Sequence, residues 1–385
     1  MPAPNGVDDT AAFNAAIAQT ADGTVAVPGS GTYLVRAVTV NRANTTIVCT
    51  GTPAATIKLK ALASGDGSPA LDVRAGGFTL RNCVVDGNRA AQPAGGFNDS
   101  FTGRSYRAGL KMDGGALAGL TVEGATFRNV YGAAIAPRNV SDVRVTNSVF
   151  RDNNFEAVFS VSPYVSGDPS RFIAGFSFVG NTVTNARSRD AAVNANGLVL
   201  QQTSNLYVEN NVWDGFERNA MKLENCRLGN IANNRISNGD LSWAGIGLQN
   251  GSHYMTVSGN VMTNVGSGID TSLVVNGQFT SDTVDHLTID GNTINSVHSG
   301  SMPDGIRILG YGSATTDVVI TNNVIKNVPR YGINLRQFTT QYATPTFARI
   351  TIQNNQLTAA GGCTNFFAST VVAPSSTVTT PNTCG

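Results

Sequence analysis

Residues 220–240 read Ala-Met-Lys-Leu-Glu-Asn-Cys-Arg-Leu-Gly-Asn-Ile-Ala-Asn-Asn-Arg-Ile-Ser-Asn-Gly-Asp. This is one turn of a coil: a short strand from Met221 to Glu224, a tight corner, an apolar patch at Ile231, then Asn-Asn and Arg-Ile-Ser-Asn. The pattern recurs. Gly197-Leu-Val-Leu-Gln, Gly245-Ile-Gly-Leu-Gln, Gly268-Ile-Asp-Thr-Ser, Gly305-Ile-Arg-Ile-Leu and Gly332-Ile-Asn-Leu-Arg all lie on Ala220-Met-Lys-Leu-Glu. A strand turns alternate side chains to opposite faces. Met221, Leu223, Ile246, Leu248, Ile306, Ile308, Ile333 and Leu335 therefore point inward, while Lys222 and Glu224 point out.

Working outward, strand starts fall at 109, 132, 156, 197, 220, 245, 268, 305 and 332, so the uninterrupted turns are 23 to 25 residues long. A period of that size means leucine-rich repeats or a β-helix. The Leu-x-x-Leu-x-Leu frame of the former is absent, and the expected fold is all-β, a right-handed parallel β-helix. A second ladder agrees with this. Asn181, Asn211, Asn234, Asn260, Asn292, Asn323 and Asn355 occupy one point of successive turns. There Asn suits a left-handed corner, and stacked amides bond along the axis.

Composition sets the bounds. The 385 residues are 41% hydrophobic and only 13% charged, with 42 glycines, which favours short strands and turns over long helices. A net charge of +1 gives no field that would draw nucleic acid or an anionic membrane. No apolar run is long enough to span a bilayer as a helix. The five cysteines lack C-x-x-C spacing, which argues against zinc; Cys363 and Cys384 bracket a Ser/Thr/Pro-rich tail that a disulfide between them would pin, and all five remaining reduced is the alternative. One amphipathic helix is expected after Asp8-Asp9-Thr10, with Asp as N-cap and Phe13, Ala16 and Ile17 as its apolar stripe, covering an exposed sheet end. The expected organisation is a cap over 1–30, coils over 31–360 and a tail over 361–385.

Asn5-Gly-Val-Asp-Asp-Thr-Ala-Ala-Phe followed by Gly23-Thr-Val-Ala-Val-Pro resembles the opening of pectate-lyase-like β-helix proteins. That superfamily includes polysaccharide lyases, glycoside hydrolases, alginate epimerases and phage tailspikes. The resemblance implies a pectin-lyase-like solenoid and a polysaccharide partner, and leaves the chemistry open. The Tyr-Gly-x-Asp-Pro-His-Glu motif of alginate epimerases is met here by Tyr131-Gly-Ala-Ala-Ile-Ala-Pro-Arg, without its Asp or His, and galacturonase signatures are missing. Fold analogy also points to a possible homotrimer. The first ten residues carry no basic-then-apolar leader, which leaves a cytoplasmic protein or one whose leader has been removed; the expectation is a secreted or extracellular one.

Insertions locate the chemistry. Gln92–Arg107, Val161–Ile173, Ala186–Asn196, Val274–Asp282, Val297–Asp304 and Gln337–Thr346 flank both ends of one strand position, as the walls of a groove would. Its floor is two outward columns. One runs through Lys111, Ala134, Val158, Val199, Lys222, Gly247, Asp270, Arg307 and Asn334; the other through Asp113, Ala136, Ser160, Gln201, Glu224, Gln249, Ser272, Leu309 and Arg336. Glycoside hydrolysis needs a carboxylic acid to protonate the leaving oxygen and a second carboxylate to activate water or attack carbon. Glu224, Asp270 and Asp304 are the carboxylates that converge on this floor, and coils ~4.8 Å apart put Glu224 and Asp270 roughly 10 Å apart, an inverting arrangement. Lys222, Arg307, Arg336 and Gln249 would position substrate, with Trp243 and Tyr254 stacking on sugar faces. Glu156 is a further acid candidate.

Three alternatives stand beside this. One is β-elimination on a uronic-acid polymer using Lys222, Arg307, Arg336 or Tyr331 without metal. Another is a non-catalytic carbohydrate-binding spike or adhesin. The blandest is a salt-bridge ladder, Lys222–Glu224 with Asp270–Arg307. No cofactor is expected: the columns offer too few clustered oxygens for calcium, and His253, His286 and His298 form no ligand set.

Overall fold

The computed structural model describes residues 1–96, 98, 100–162, 172–188, 195–240, 243–271, 284–298, 303–310, 315–337, 346–366, 371–372, 377–378 and 382–385. Contacts divide these into a first unit of residues 1–162 and 173–199 and a second of Phe172 and residues 200–385.

Each unit is a stack of coils contributing to three parallel sheets. In the second unit the first sheet runs through Thr203–Glu209, Arg227–Ala232, His253–Ser258, Leu287–Asp290, Thr315–Thr321 and Thr346–Gln353. The second runs through Val212–Phe216, Arg235–Gly239, Val261–Val265, Thr293–Val297, Val324–Val328 and Gln356–Ala359. The third runs through Met221–Glu224, Ala244–Gln249, Ser267–Asp270, Ile306–Gly310, Ile333–Gln337 and Thr364–Phe366. Successive strands in a sheet are one coil apart, the topology of a parallel β-helix. The C-terminal segment, expected as a tail, adds short strands to all three sheets.

Alternation sets the core. Met221, Leu223, Ile246, Leu248, Ile306, Ile308, Ile333 and Leu335 are all fully buried, and full burial contributes roughly 1.5–3 kcal/mol per side chain. The asparagine ladder also forms. The Asn234 amide donates to Asn260 Oδ1, Asn260 to Asn292, and Asn323 to Asn355, each at 2.9 Å, with Asn292 to Asn323 at 3.0 Å. The left-handed residue is the one before each ladder asparagine: Asn210, Asn233, Gly259, Gly291, Asn322 and Asn354.

In the first unit the helix Thr10–Gln19 buries Phe13 and Ile17, and Phe13 meets Tyr33 edge-on at 5.6 Å. Asp9 holds the N-cap position without capping: its carboxylate accepts the amides of Asn5 at 2.9 Å and Leu34 at 3.0 Å. Cys363 pairs with Cys384, one of the two alternatives left open by the sequence, and Cys49 pairs with Cys83, leaving Cys226 a buried thiol that desolvation pushes up to about 12.

A second left-handed series runs through the first sheet. In the first unit it falls on Asn44, Gly77, Gly119, Asp142 and Gly175, residue types suited to positive φ. In the second it falls on Asn205 and then Leu228 (φ 55°), Tyr254 (55°), His286 (46°), Asp317 (59°) and Arg349 (54°), one per coil at matching register.

Candidate active site

The third sheet's outward face carries the expected floor in the second unit. Lys222 pairs with Gly247, Gly247 with Asp270, Asp270 with Arg307 and Arg307 with Asn334, while Glu224 pairs with Gln249 and Leu309 with Arg336. These are the sequence-derived columns; Ser272 lies outside the described residues.

In the first unit the columns depart from those expected, by two residues at Lys111 and by one at Val158. Lys111 pairs with Ala136, not Ala134, and Val158 pairs with the inward Ile135. Small residues on both faces of Ala133–Ala136 give alternation nothing to distinguish. Beyond Asp72 and Lys111 that unit's outward face becomes apolar: Ala136, Phe159 and Val161 are buried, and Phe101 stacks on Phe159 at 6.4 Å. The Gln92–Arg107 insertion thus lies across this face instead of walling it. Among the other insertions, 163–171, 189–194, 274–282, 299–302 and 338–345 fall outside the described residues.

Glu224 is 1% exposed. Its Oε1 takes Lys222 Nζ at 2.9 Å and Asn250 Nδ2 at 3.2 Å, and its Oε2 takes Gln201 Nε2 at 2.5 Å. Lys222, on the same face of the same strand, keeps 18% of its side chain exposed. Asp270 is gripped from two points: Arg307 Nε reaches Oδ1 at 2.8 Å and Nη2 reaches Oδ2 at 2.6 Å, both residues being buried. Asp304 is fully buried; Arg330 Nε donates to Oδ1 at 2.7 Å, Arg330 Nη2 also reaches Oδ2, and Asn334 Nδ2 donates to Oδ2 at 2.8 Å. Two-pronged guanidinium–carboxylate bonds orient an arginine as firmly as they hold the acid. Asp270 and Asp304 are therefore built to aim Arg307 and Arg330. Glu224, held by separate single contacts, has the more exchangeable environment.

Arg336 is partly exposed beside this pair. Burial lowers the proton affinity of its guanidinium, and repulsion from Arg330 and Arg307 lowers it further, against the pull of Asp304. Arginine stays charged at neutral pH regardless, so these residues concentrate positive charge at one end of the floor.

The remaining expectations divide. Gln249 is fully buried, beneath the surface where a ligand would lie. Trp243, 37% exposed just ahead of Ala244–Gln249, carries the Arg218 guanidinium over its ring at 5.2 Å. Tyr254 is not on this face: it belongs to His253–Ser258 of the first sheet, past the corner that follows Gln249. In the first unit Glu156 is fully buried, its Oε1 paired with Arg104 Nη1 at 2.9 Å and its Oε2 accepting no hydrogen bond. Sequence reasoning missed Arg330 and Asn250. Arg330 sits two residues before the Gly332-Ile start and Asn250 one residue beyond a strand end, so neither falls in the alternating columns. Among the described residues no cluster of His, Cys, Asp and Glu could hold a metal ion.

A sequence profile for the right-handed β-helix region matches residues 108–279. No curated protein matches the chain. Among solved structures it is similar to a PL6 alginate lyase in complex with a trisaccharide, at 15% identity and TM-score 0.63 over 94% of this chain and 82% of that one. It is similar to PfbA, a surface adhesin of Streptococcus pneumoniae, at 16% identity and TM-score 0.64 over 93% and 88%. It is also similar to the catalytic unit of a GH87 α-1,3-glucanase from Streptomyces thermodiastaticus, at 16% identity and TM-score 0.54 over 100% and 68%. At these identities the likeness carries the fold alone. The chain has the fold of a right-handed parallel β-helix, an architecture found in solved structures of polysaccharide-cleaving enzymes and of a surface adhesin.

Proposed function

We propose that the chain is a polysaccharide-cleaving enzyme, acting as a glycoside hydrolase on a polymer bound along the outward third-sheet face of residues 200–385. The observation that carries this reading is the setting of Glu224: a buried carboxylate on the outward face, whose only cationic partner among the described contacts is the partly exposed Lys222. In this reading a sugar hydroxyl replaces the Lys222 contact, and Glu224 is the general acid that protonates the leaving oxygen. Asp270, two coils from Glu224 and aligned by Arg307 on the adjacent coil, directs water, at a spacing that suits inversion. Asp304 holds Arg330 and Asn334 in place for substrate. The trisaccharide-bound lyase and the glucanase support a saccharide ligand on this architecture, and the adhesin supports binding without cleavage. We also place the protein outside the cytoplasm, on the strength of its two disulfides.

One observation favours elimination as the second reading. Arg307, Arg330 and Arg336 gather positive charge where a uronate carboxylate would need neutralising. The test is a panel of alginate, polygalacturonate and α-1,3-glucan, followed by reducing ends and by the ultraviolet absorbance of an unsaturated product. Hydrolysis raises reducing ends alone, and elimination raises both. No new chain ends on any polymer would leave the binding role of the adhesin type.

A further inference from the structure

The first-sheet row Leu228, Tyr254, His286, Asp317 and Arg349 has no part in the site above. In the first unit the matching left-handed positions take Gly, Asn or Asp. A bulky L-residue there crowds its own backbone, and such strain persists where the side chain is needed. Leu228 and Tyr254 are each 51% exposed.

The side chains are also organised among themselves. The Tyr254 ring stacks on His286 at 4.3 Å and meets His253 edge-on at 5.4 Å. His286 Nε2 lies 3.5 Å from Asp317 Oδ2 and Nδ1 lies 3.3 Å from Asp285 Oδ1. Arg349 grips Asp317 with Nε and Nη2, both at 2.6 Å. At one coil per residue the row extends roughly 19 Å along the axis. It presents a phenol, an imidazole, a carboxylate and a guanidinium in line, each able to bond hydroxyl groups. Its apolar content, Leu228 and one ring, is too small for the desolvated centre of a protein interface. Its acidic and basic groups are paired with one another, so it lacks the dense unpaired cations that the phosphates of nucleic acid require.

We propose that this row is a second, non-catalytic carbohydrate site, a comb that holds an extended hydroxyl-rich polysaccharide lying along the coil axis. The comb rests on the polysaccharide reading for its ligand class but not on the cleavage site. Its role is to keep the polymer on the protein between encounters with the third-sheet face, which raises the effective concentration there.

The test is retention in native gels containing alginate, polygalacturonate or α-1,3-glucan, for wild type, Tyr254→Asn and Arg349→Asn. Asparagine accepts the left-handed backbone, so the thermal midpoint should hold or rise while retention weakens about tenfold, the size of one lost contact. Unchanged retention in both variants, or a wild type retained by none of the three polymers, overturns the comb. Cleavage is scored separately. Comb-dependent retention without cleavage refutes the catalytic reading alone, and cleavage with comb-independent retention refutes the comb alone.

Discussion

Replacing Asp270 with asparagine separates two roles for the same residue. The carboxylate lies 3% exposed and both its oxygens are bonded by Arg307, itself 8% exposed. In Asp270→Asn the amide oxygen keeps one of the two bonds, while the amide nitrogen faces a guanidinium N–H and offers it only another donor. The larger loss is electrostatic: Arg307 stays charged and buried without its counter-ion. Removing one partner of a buried ion pair costs about 3–5 kcal/mol. Glu224→Gln differs. Its cation partner keeps 18% of its side chain in solvent and makes a single contact at 2.9 Å, so Lys222 can turn to water. The cost there is nearer about 1 kcal/mol, within the range for accessible pairs. Urea unfolding of the two variants beside wild type measures the difference. Asp270→Asn as stable as wild type would refute the argument that Asp270 anchors Arg307. Glu224→Gln as damaged as Asp270→Asn would refute the claim that Glu224 has the more exchangeable environment.

Leu228→Asn relieves a bulky residue at φ 55° and should stabilise the fold by about 1 kcal/mol, read in the same urea titration; a destabilised variant would mean that Leu228 packs where we find strain. Asn292→Ala takes from Asn260 the acceptor of two bonds, at 3.0 and 2.9 Å, and should cost roughly 2–5 kcal/mol, whereas a loss below about 0.5 kcal/mol would show that the ladder is not cooperative. The Arg349 bond lowers the Asp317 carboxyl to about 2. Since the folded value is depressed, its contribution is present above the unfolded value near 3.9 and is lost as pH falls through about 2. The Asp317 side-chain NMR signal should therefore titrate near 2 in wild type and near the ordinary carboxylate value in Arg349→Gln, and equal midpoints would contradict the pairing. Cys226 should resist alkylation in the native state at pH 8 and react after unfolding.

The inward positions and the asparagine ladder were readable because each repeats one physical constraint in every coil. Met221, Ile246, Ile306 and Ile333 differ from their outward neighbours in polarity, so period two fixes their face. Ala133, Ala134 and Ala136 do not, and the observed partner of Lys111 lies two residues from the expected one. Gln249 was placed outward by its column, but a column says nothing of what covers it. Tyr254 was expected to stack on a sugar at this face, whereas the corner at 250–252 carries the chain onto the first sheet. The carboxylates of the floor were found in sequence. Their partners were only half legible: Arg307 lies next to Asp270 in register, but Arg330 reaches Asp304 from outside the repeat. The left-handed row was invisible, because nothing in a sequence marks Leu228 or Arg349 as residues of positive φ.

The central claim is that Glu224 carries the proton in polysaccharide cleavage, and the most direct measurement is turnover of Glu224→Gln against wild type on whichever polymer of the panel is cleaved. The amide keeps the shape and most hydrogen bonds while ending proton transfer, so turnover should fall roughly 10²–10⁴-fold with unfolding shifted by no more than about 1 kcal/mol. Full turnover in Glu224→Gln, or a wild type that opens no chain in the panel, would contradict it.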